Sequence, residues 1–226
     1  MSSVAMQDPA YVAAVIDFLG LVGYGEISAF ERLAEDSKLA PTLADKAAIA
    51  GMAATEFGHF RRLSARLAEL GADPIEAMGR FVTVLDEFHE RTAPADWYES
   101  LIKAYVGEGL VSDFYREIAA FLDIDTRTLI LEALGDADQA EFAVDRIREG
   151  IAADHKLGGR LALFGRRLMG EALTQAQRVA ADRDALTALI AGGVDRPGMD
   201  LAAIGRLFTR LTDNHTARMD ALGLAS

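Results

Sequence analysis

A chain of 226 residues, 51% of them hydrophobic, can bury one large core or two small ones, and with no cysteine it can hold no disulfide, thiolate metal site or cysteine nucleophile. Its formal net charge of -12 argues against broad nonspecific nucleic-acid binding, which needs a basic surface, while a local basic patch stays open. Abundant Ala and Leu, with five prolines where helices should start or stop, describe an all-α protein.

The opening Met1-Ser2-Ser3-Val4-Ala5-Met6-Gln7-Asp8 lacks a basic leader region and no apolar run approaches membrane-spanning length, so a soluble, cytoplasmic protein is expected. Pro9 opens a helix expected to reach about Lys38, with Val12, Ile16, Leu19, Val22, Phe30 and Leu33 on one stripe and Glu26 on the same stripe. Leu39-Ala40-Pro41-Thr42 ends it. A second helix runs from about Leu43 to Leu70, with Gly71 as C-cap candidate. It carries Glu56 and His59, three residues apart and therefore on one face. Helical steps from Glu56 reach Ile49, Met52, Ala53, Phe60, Leu63 and Leu67, so that face points at a core. A carboxylate there is costly unless something neutralises it, and a metal ion does so most directly.

Asp73-Pro74 opens a shorter helix to about Arg91, placed as the crossover between two helix pairs. Ala93-Pro94-Ala95-Asp96 starts a third main helix, about Trp97 to Leu122, with Leu101, Tyr105, Val111 and Tyr115 around Glu108. A fourth, with Asp125 or Thr126 as N-cap, continues to about Ala153. A fifth is expected from about Asp154 to Ile190, a loop at Gly192 to Gly198, and a last helix from about Asp200 to Leu222. No segment alternates with period two over a strand's length, so no sheet is expected.

Two halves of the chain superimpose without a gap at an offset of 82 residues: Gly25-Glu26 falls on Gly107-Glu108, and Glu56 and His59 fall on Asp138 and Glu141. In each half the same 30 residues separate the lone Glu from the paired residues, so two antiparallel hairpins should bring all six side chains to one layer. This pattern, a lone Glu followed by Glu-x-x-His in each half, resembles the ferritin-like superfamily of di-iron carboxylate proteins. With two added C-terminal helices the chain is most similar to the bacterial tRNA 2-methylthio-N6-isopentenyladenosine hydroxylase-like proteins. The resemblance implies one ferritin-like domain, a four-helix bundle over about residues 10 to 153 with a crossover helix, followed by two additional C-terminal helices over about 154 to 223. It also implies two metal ions, held by Glu26, Glu56, His59, Glu108, Asp138 and Glu141. Helix four departs from the family, with Asp138 in place of Glu and Glu141 in place of His.

Five carboxylates and one imidazole make a hard, anionic site that suits manganese or magnesium at least as well as iron. Without metal, crowded carboxylates should have raised pKa values. An alternative register uses Asp136 and Gln139. His155 is no replacement, since along a straight helix it would lie about 21 Å from Glu141 at ~1.5 Å per residue. Arg148 or Arg62 could stand in for a lost cation by pairing with the acids. Tyr24, Tyr105 and Tyr115 could relay electrons or protons, their plainer reading being core residues with satisfied hydroxyls. His89 and His215 read as surface or structural. The run Arg146, Arg148, Lys156, Arg160, Arg166 and Arg167 reads as a solvated face interleaved with acids.

The function these residues imply is an oxygen-dependent oxidase or hydroxylase, fed by a partner electron donor, acting on a small organic molecule or, through the resemblance, a modified tRNA base. A metal-free bundle serving as a homodimeric interaction protein, with the final helices as its interface, is the reading from another class. Iron storage is disfavoured because the extra helices should obstruct cage packing.

Overall fold

A computed structural model describes residues 8–134, 137–192 and 198–225. Helix α1, Pro9–Asp36, starts where the Asp8 carboxylate accepts the Ala10 N–H at 2.9 Å, one residue ahead of a proline that has no N–H to satisfy. Helix α2, Leu43–Glu69, is capped by Thr42, whose hydroxyl oxygen accepts the Asp45 N–H at 3.1 Å and whose proton goes to Asp45 at 2.6 Å. The chain leaves α2 through Gly71, at φ +78°, as the sequence suggested.

The expected crossover helix is two: α3, Pro74–Gly79, and α4, Val82–Arg91. Tertiary anchors break it. Phe81 is buried in the core, and Arg80 reaches back to Asp17 of α1 at 2.8 Å. The third main helix is also subdivided, into α5, Trp97–Ile102, a π-helical turn, Lys103–Gly107, and α6, Glu108–Ala119. The fourth divides into α7, Ile124–Ala133, and α8, Ala137–Ala153, and the N-cap of α7 is Asp123, two or three residues earlier than expected, accepting the Thr126 N–H at 3.0 Å. The fifth divides at Arg183 into α9, His155–Asp182, and α10, Asp184–Ala191. Arg183 leaves helical geometry to grip Asp17 through bonds of 2.6 to 3.1 Å. The chain closes with α11, Leu201–Ala221, capped by Asp200. Among the described residues there is no strand.

Helix α1 lies along α2 and also packs on α3 and α10, while α8 and α9 cover α5 and α11 lies on α6. By length and hydropathy α1 could cross a membrane, contrary to the sequence expectation, but 61% of its most apolar window is buried inside the protein. Two apolar cores result. One joins Tyr11, Phe18, Val22, Leu63, Phe81 and Ile118; the other joins Ile49, Met52, Phe88, Leu101, Ile147 and Leu161. Glu26 on α1 and Glu56 and His59 on α2 fall at the seam, since Val22 and Leu63 belong to the first core while Leu33 and Met52 belong to the second.

Candidate metal centre

Glu26, Glu56 and His59 offer one ligand atom each within 4.8 Å of one another, although Glu26 is 30 residues from Glu56 in the chain. His59 Nδ1 donates to Glu56 Oε2 at 3.3 Å and lies 3.4 Å from Glu26 Oε2. Glu26 and Glu56 are buried. Glu108 lines the same cavity and acts electrostatically on Glu26 and Glu56; its Oε1 accepts from the Ser112 hydroxyl at 3.4 Å. The cavity has a volume of about 280 Å³ and Tyr115, Met52, Leu85 and Phe88 are among its walls.

The electrostatics follow from enclosure. Burial pushes Glu26 well above the usual carboxylate range, helped by the nearby Glu56 and Glu108, although His59 pulls the other way. Burial pushes Glu108 up to about 8, with the charge on Glu56 adding to it. Glu56 goes down: burial opposes its ionisation, but hydrogen bonds from His59 and Glu26 outweigh that. His59 rises to about 10 through its bonds to Glu26 and Glu56, against the effect of burial. Without metal, burial and mutual repulsion therefore favour the protonated forms of Glu26 and Glu108, while Glu56 and His59 favour their charged forms. Protons do the neutralising that a metal ion would do, which is the sense in which crowded acids were expected to shift.

Glu141 is not brought to this layer. It is exposed on α8, whose Ala140 and Ala143 line the cavity instead, and a helix that turns those residues inward carries Glu141 outward. The structure thus brings Glu108 to the cavity and leaves Glu141 outside it, α7 ending at Ala133 and α8 beginning at Ala137. The side chains of Asp138 and of the alternative pair Asp136 and Gln139 lie outside the described residues. His155 is exposed, Arg148 is exposed, and Arg62 pairs with Glu132 at 2.9 Å, so none of these replaces a ligand or a cation. Tyr24 donates to Asp86 at 2.7 Å, as a satisfied core tyrosine should, whereas Tyr115 and Tyr105 line the cavity. Burial raises the Tyr115 hydroxyl well above its ordinary pKa. Two members of the basic run pair with acids within the chain: Arg146 with Asp45 at 2.8 Å and Arg160 with Glu99 at 2.6 Å.

Sequence reasoning missed Arg32, Asp36, His89 and Lys103, all of which line the cavity. His89 had been assigned to the surface or to structure. Lys103 carried a readable signal: it stands beside Leu101, Ile102 and Val106, all of them buried. Its alignment with Glu108 was not readable, because at about 100° per residue an α-helix sets residues five apart on different faces. The π-helical turn, with its i to i+5 hydrogen bonding, returns them to one side.

Hard oxygen and nitrogen donors of this kind suit iron or manganese better than a soft metal. No curated protein matches the sequence. Among solved structures the fold is similar to a protein from Synechococcus described as having aldehyde deformylating oxidase activity, with a TM-score of 0.68 and 17% identity over 97% of this chain and 94% of that one. The sequence model of a ferritin-like domain of actinomycetes matches residues 9–193, and with a helical bundle that seats Glu26, Glu56 and His59 together, the chain belongs to that family.

Proposed function

We propose that this protein is an oxygen-dependent oxidase or hydroxylase that binds two divalent metal ions, iron or manganese, through Glu26, Glu56, His59 and Glu108. The observation that carries this is a preassembled group of three donors from two helices, within 4.8 Å of one another, on the wall of a cavity. The oxidase activity named for the Synechococcus protein of similar fold supports it. So does the cost of the arrangement, since buried acids are kept for what they bind more often than for stability. Three carboxylates and one imidazole make a full set for one ion and a partial one for a second, and Asp138 is the proposed further donor. When bound, the metal pair supplies the electron transfer to dioxygen.

The chain's own residues do the rest. Glu26 and Glu56 come from different helices and fix the ligand geometry from two directions, while Met52, Leu85 and Phe88 give the cavity an apolar wall. Ser112, bonded to Glu108, orients that carboxylate. Tyr115, close enough to Gly25 that a Cβ there would sit 3.1 Å from its hydroxyl, is positioned to hold a proton at the cavity wall. Hydroxylation balances as one C–H bond and one dioxygen, with two electrons from a partner protein and two protons, giving an alcohol and water. Of the two substrate classes, the small organic molecule is favoured by a cavity of about 280 Å³ and a net charge of -12.

Metal analysis of protein purified without chelators tests this reading. About two iron or manganese ions per chain are expected, as in di-iron carboxylate bundles, falling below one in Glu56→Gln. Metal-free protein whose oxygen consumption and melting temperature ignore added iron and manganese would sink it. That result would favour the metal-free homodimeric interaction protein, which the proton-neutralised layer makes physically viable.

A further inference from the structure

The cavity has a second polar end that the metal-centre reading leaves unused. Lys103 is buried at 8% exposure, and its Nζ meets the His89 carbonyl oxygen at 3.5 Å and stands over the Phe88 ring at 5.8 Å. Among the described residues it makes no ion pair. Arg32 turns two guanidinium nitrogens toward the exposed Glu35 and Glu31 at 3.5 and 3.8 Å, but its Nε is buried without a partner. His89 Nδ1 is also buried and unpartnered. Two cations thus face one acid, Asp36, at the cavity wall, with donors left over. Unmade hydrogen bonds inside a protein are costly, and a cation–donor cluster opening on a cavity is what an anion would complete.

The remaining walls are apolar. Leu33, Leu85 and Phe88 are among them, and a second, apolar cavity of about 100 Å³ adjoins this one across Leu85, Phe88, Val111 and Tyr115. Lys103 and Glu108 face the same space from opposite ends of the π turn, separated by no more than about 7.5 Å along the axis at ~1.5 Å per residue. One small molecule can touch both.

We propose that Lys103, Arg32 and His89 form a carboxylate-receiving subsite, so that the substrate is an organic acid with an apolar chain, its charged end at Lys103 and its chain beside the acidic layer. As a statement of substrate class this rests on the oxidase reading; the anion binding does not. Burial brings Lys103 down to about 8, which leaves it mostly charged at neutral pH, and burial brings His89 to about 3, so the imidazole stays neutral with one ring N–H to donate. Asp36 is raised to about 6 by burial and is still mostly ionised at neutral pH, so it offsets one of the two cations and leaves the other for the ligand.

Calorimetric titration with octanoate, octanamide and inorganic phosphate tests the subsite, on the protein as purified and after chelation. Octanoate should bind at least tenfold more tightly than octanamide in both preparations. Lys103→Met and Arg32→Gln should each reduce octanoate affinity at least tenfold, leave octanamide unchanged and leave metal content unchanged. Equal binding of octanoate and octanamide would overturn the proposal, as would phosphate binding as tightly as octanoate. So would octanoate binding that disappears on chelation and survives Lys103→Met, because the carboxylate would then be bound at the acidic layer. Octanoate binding through Lys103 in a chain that takes up no metal would uphold the subsite and sink the oxidase.

Discussion

Asp17 illustrates how one side chain can hold elements far apart in the chain. It is 2% exposed and accepts from Arg80 at 2.8 Å and from Arg183 at 2.6 to 3.1 Å, tying α1 to the α3–α4 corner and to the junction of α9 and α10. Removing a buried partner strands the charges it served. Asp17→Ala should therefore cost about 2 to 4 kcal/mol in chemical denaturation, with Arg80→Ala costing less because its guanidinium is 39% exposed. His59 makes a different prediction. In the metal-free protein it holds its proton up to about pH 10, and a metal ligand must be neutral, so metal uptake must expel that proton along with those on Glu26 and Glu108. Metal affinity should accordingly rise with pH from about 6.5 towards 10, and titrations in buffers of different ionisation enthalpy should register protons released. Uptake without proton release would contradict the layer described.

At the scale of elements, two features were beyond periodicity. The π turn at Lys103–Gly107 aligns Lys103 with Glu108, and the approach of α3 to α1 depends on Gly20. A Cβ at Gly20 would lie 2.6 Å from the Ala77 carbonyl oxygen, a backbone atom that cannot swing away. Gly20→Ala should lower stability by about 1 to 3 kcal/mol, the usual cost of overpacking, and a thermal melt measures it. On α11, His215 is 4% exposed with both ring nitrogens unpartnered, and burial lowers its pKa. Replacing an unsatisfied buried polar group by an apolar one of similar shape removes a cost, so His215→Leu should raise the melting temperature. A fall would mean that the imidazole has a partner in solution.

For the whole molecule, stability should depend on pH through two opposed sets of groups. His89 has its pKa lowered to about 3, so the folded state resists protonation and stability falls as pH drops from 6.5 towards 3; His89→Phe should flatten that slope. Glu108 is raised to about 8, so the metal-free fold keeps a proton that the unfolded chain has lost. Its stabilisation is present below about pH 4.5 and disappears as pH rises through 8; Glu108→Gln should abolish that loss. Denaturation midpoints of metal-free protein across this range check both.

The helical class, the stripes of α1 and α2 and the register of Glu26, Glu56, His59 and Glu108 were legible in the sequence, because helix periodicity is local and a carboxylate on an apolar stripe stands out. The failure at Glu141, the breaks at Arg80 and Arg183, and the gathering of Arg32, Asp36, His89 and Lys103 around one cavity were not. Each depends on which distant residue a helix meets: Asp17 collects Arg80 and Arg183 from two helix junctions, and a single π turn rotates one face relative to another. Local spacing determined what each helix could present. The packing of the helices decided which of those residues share a space.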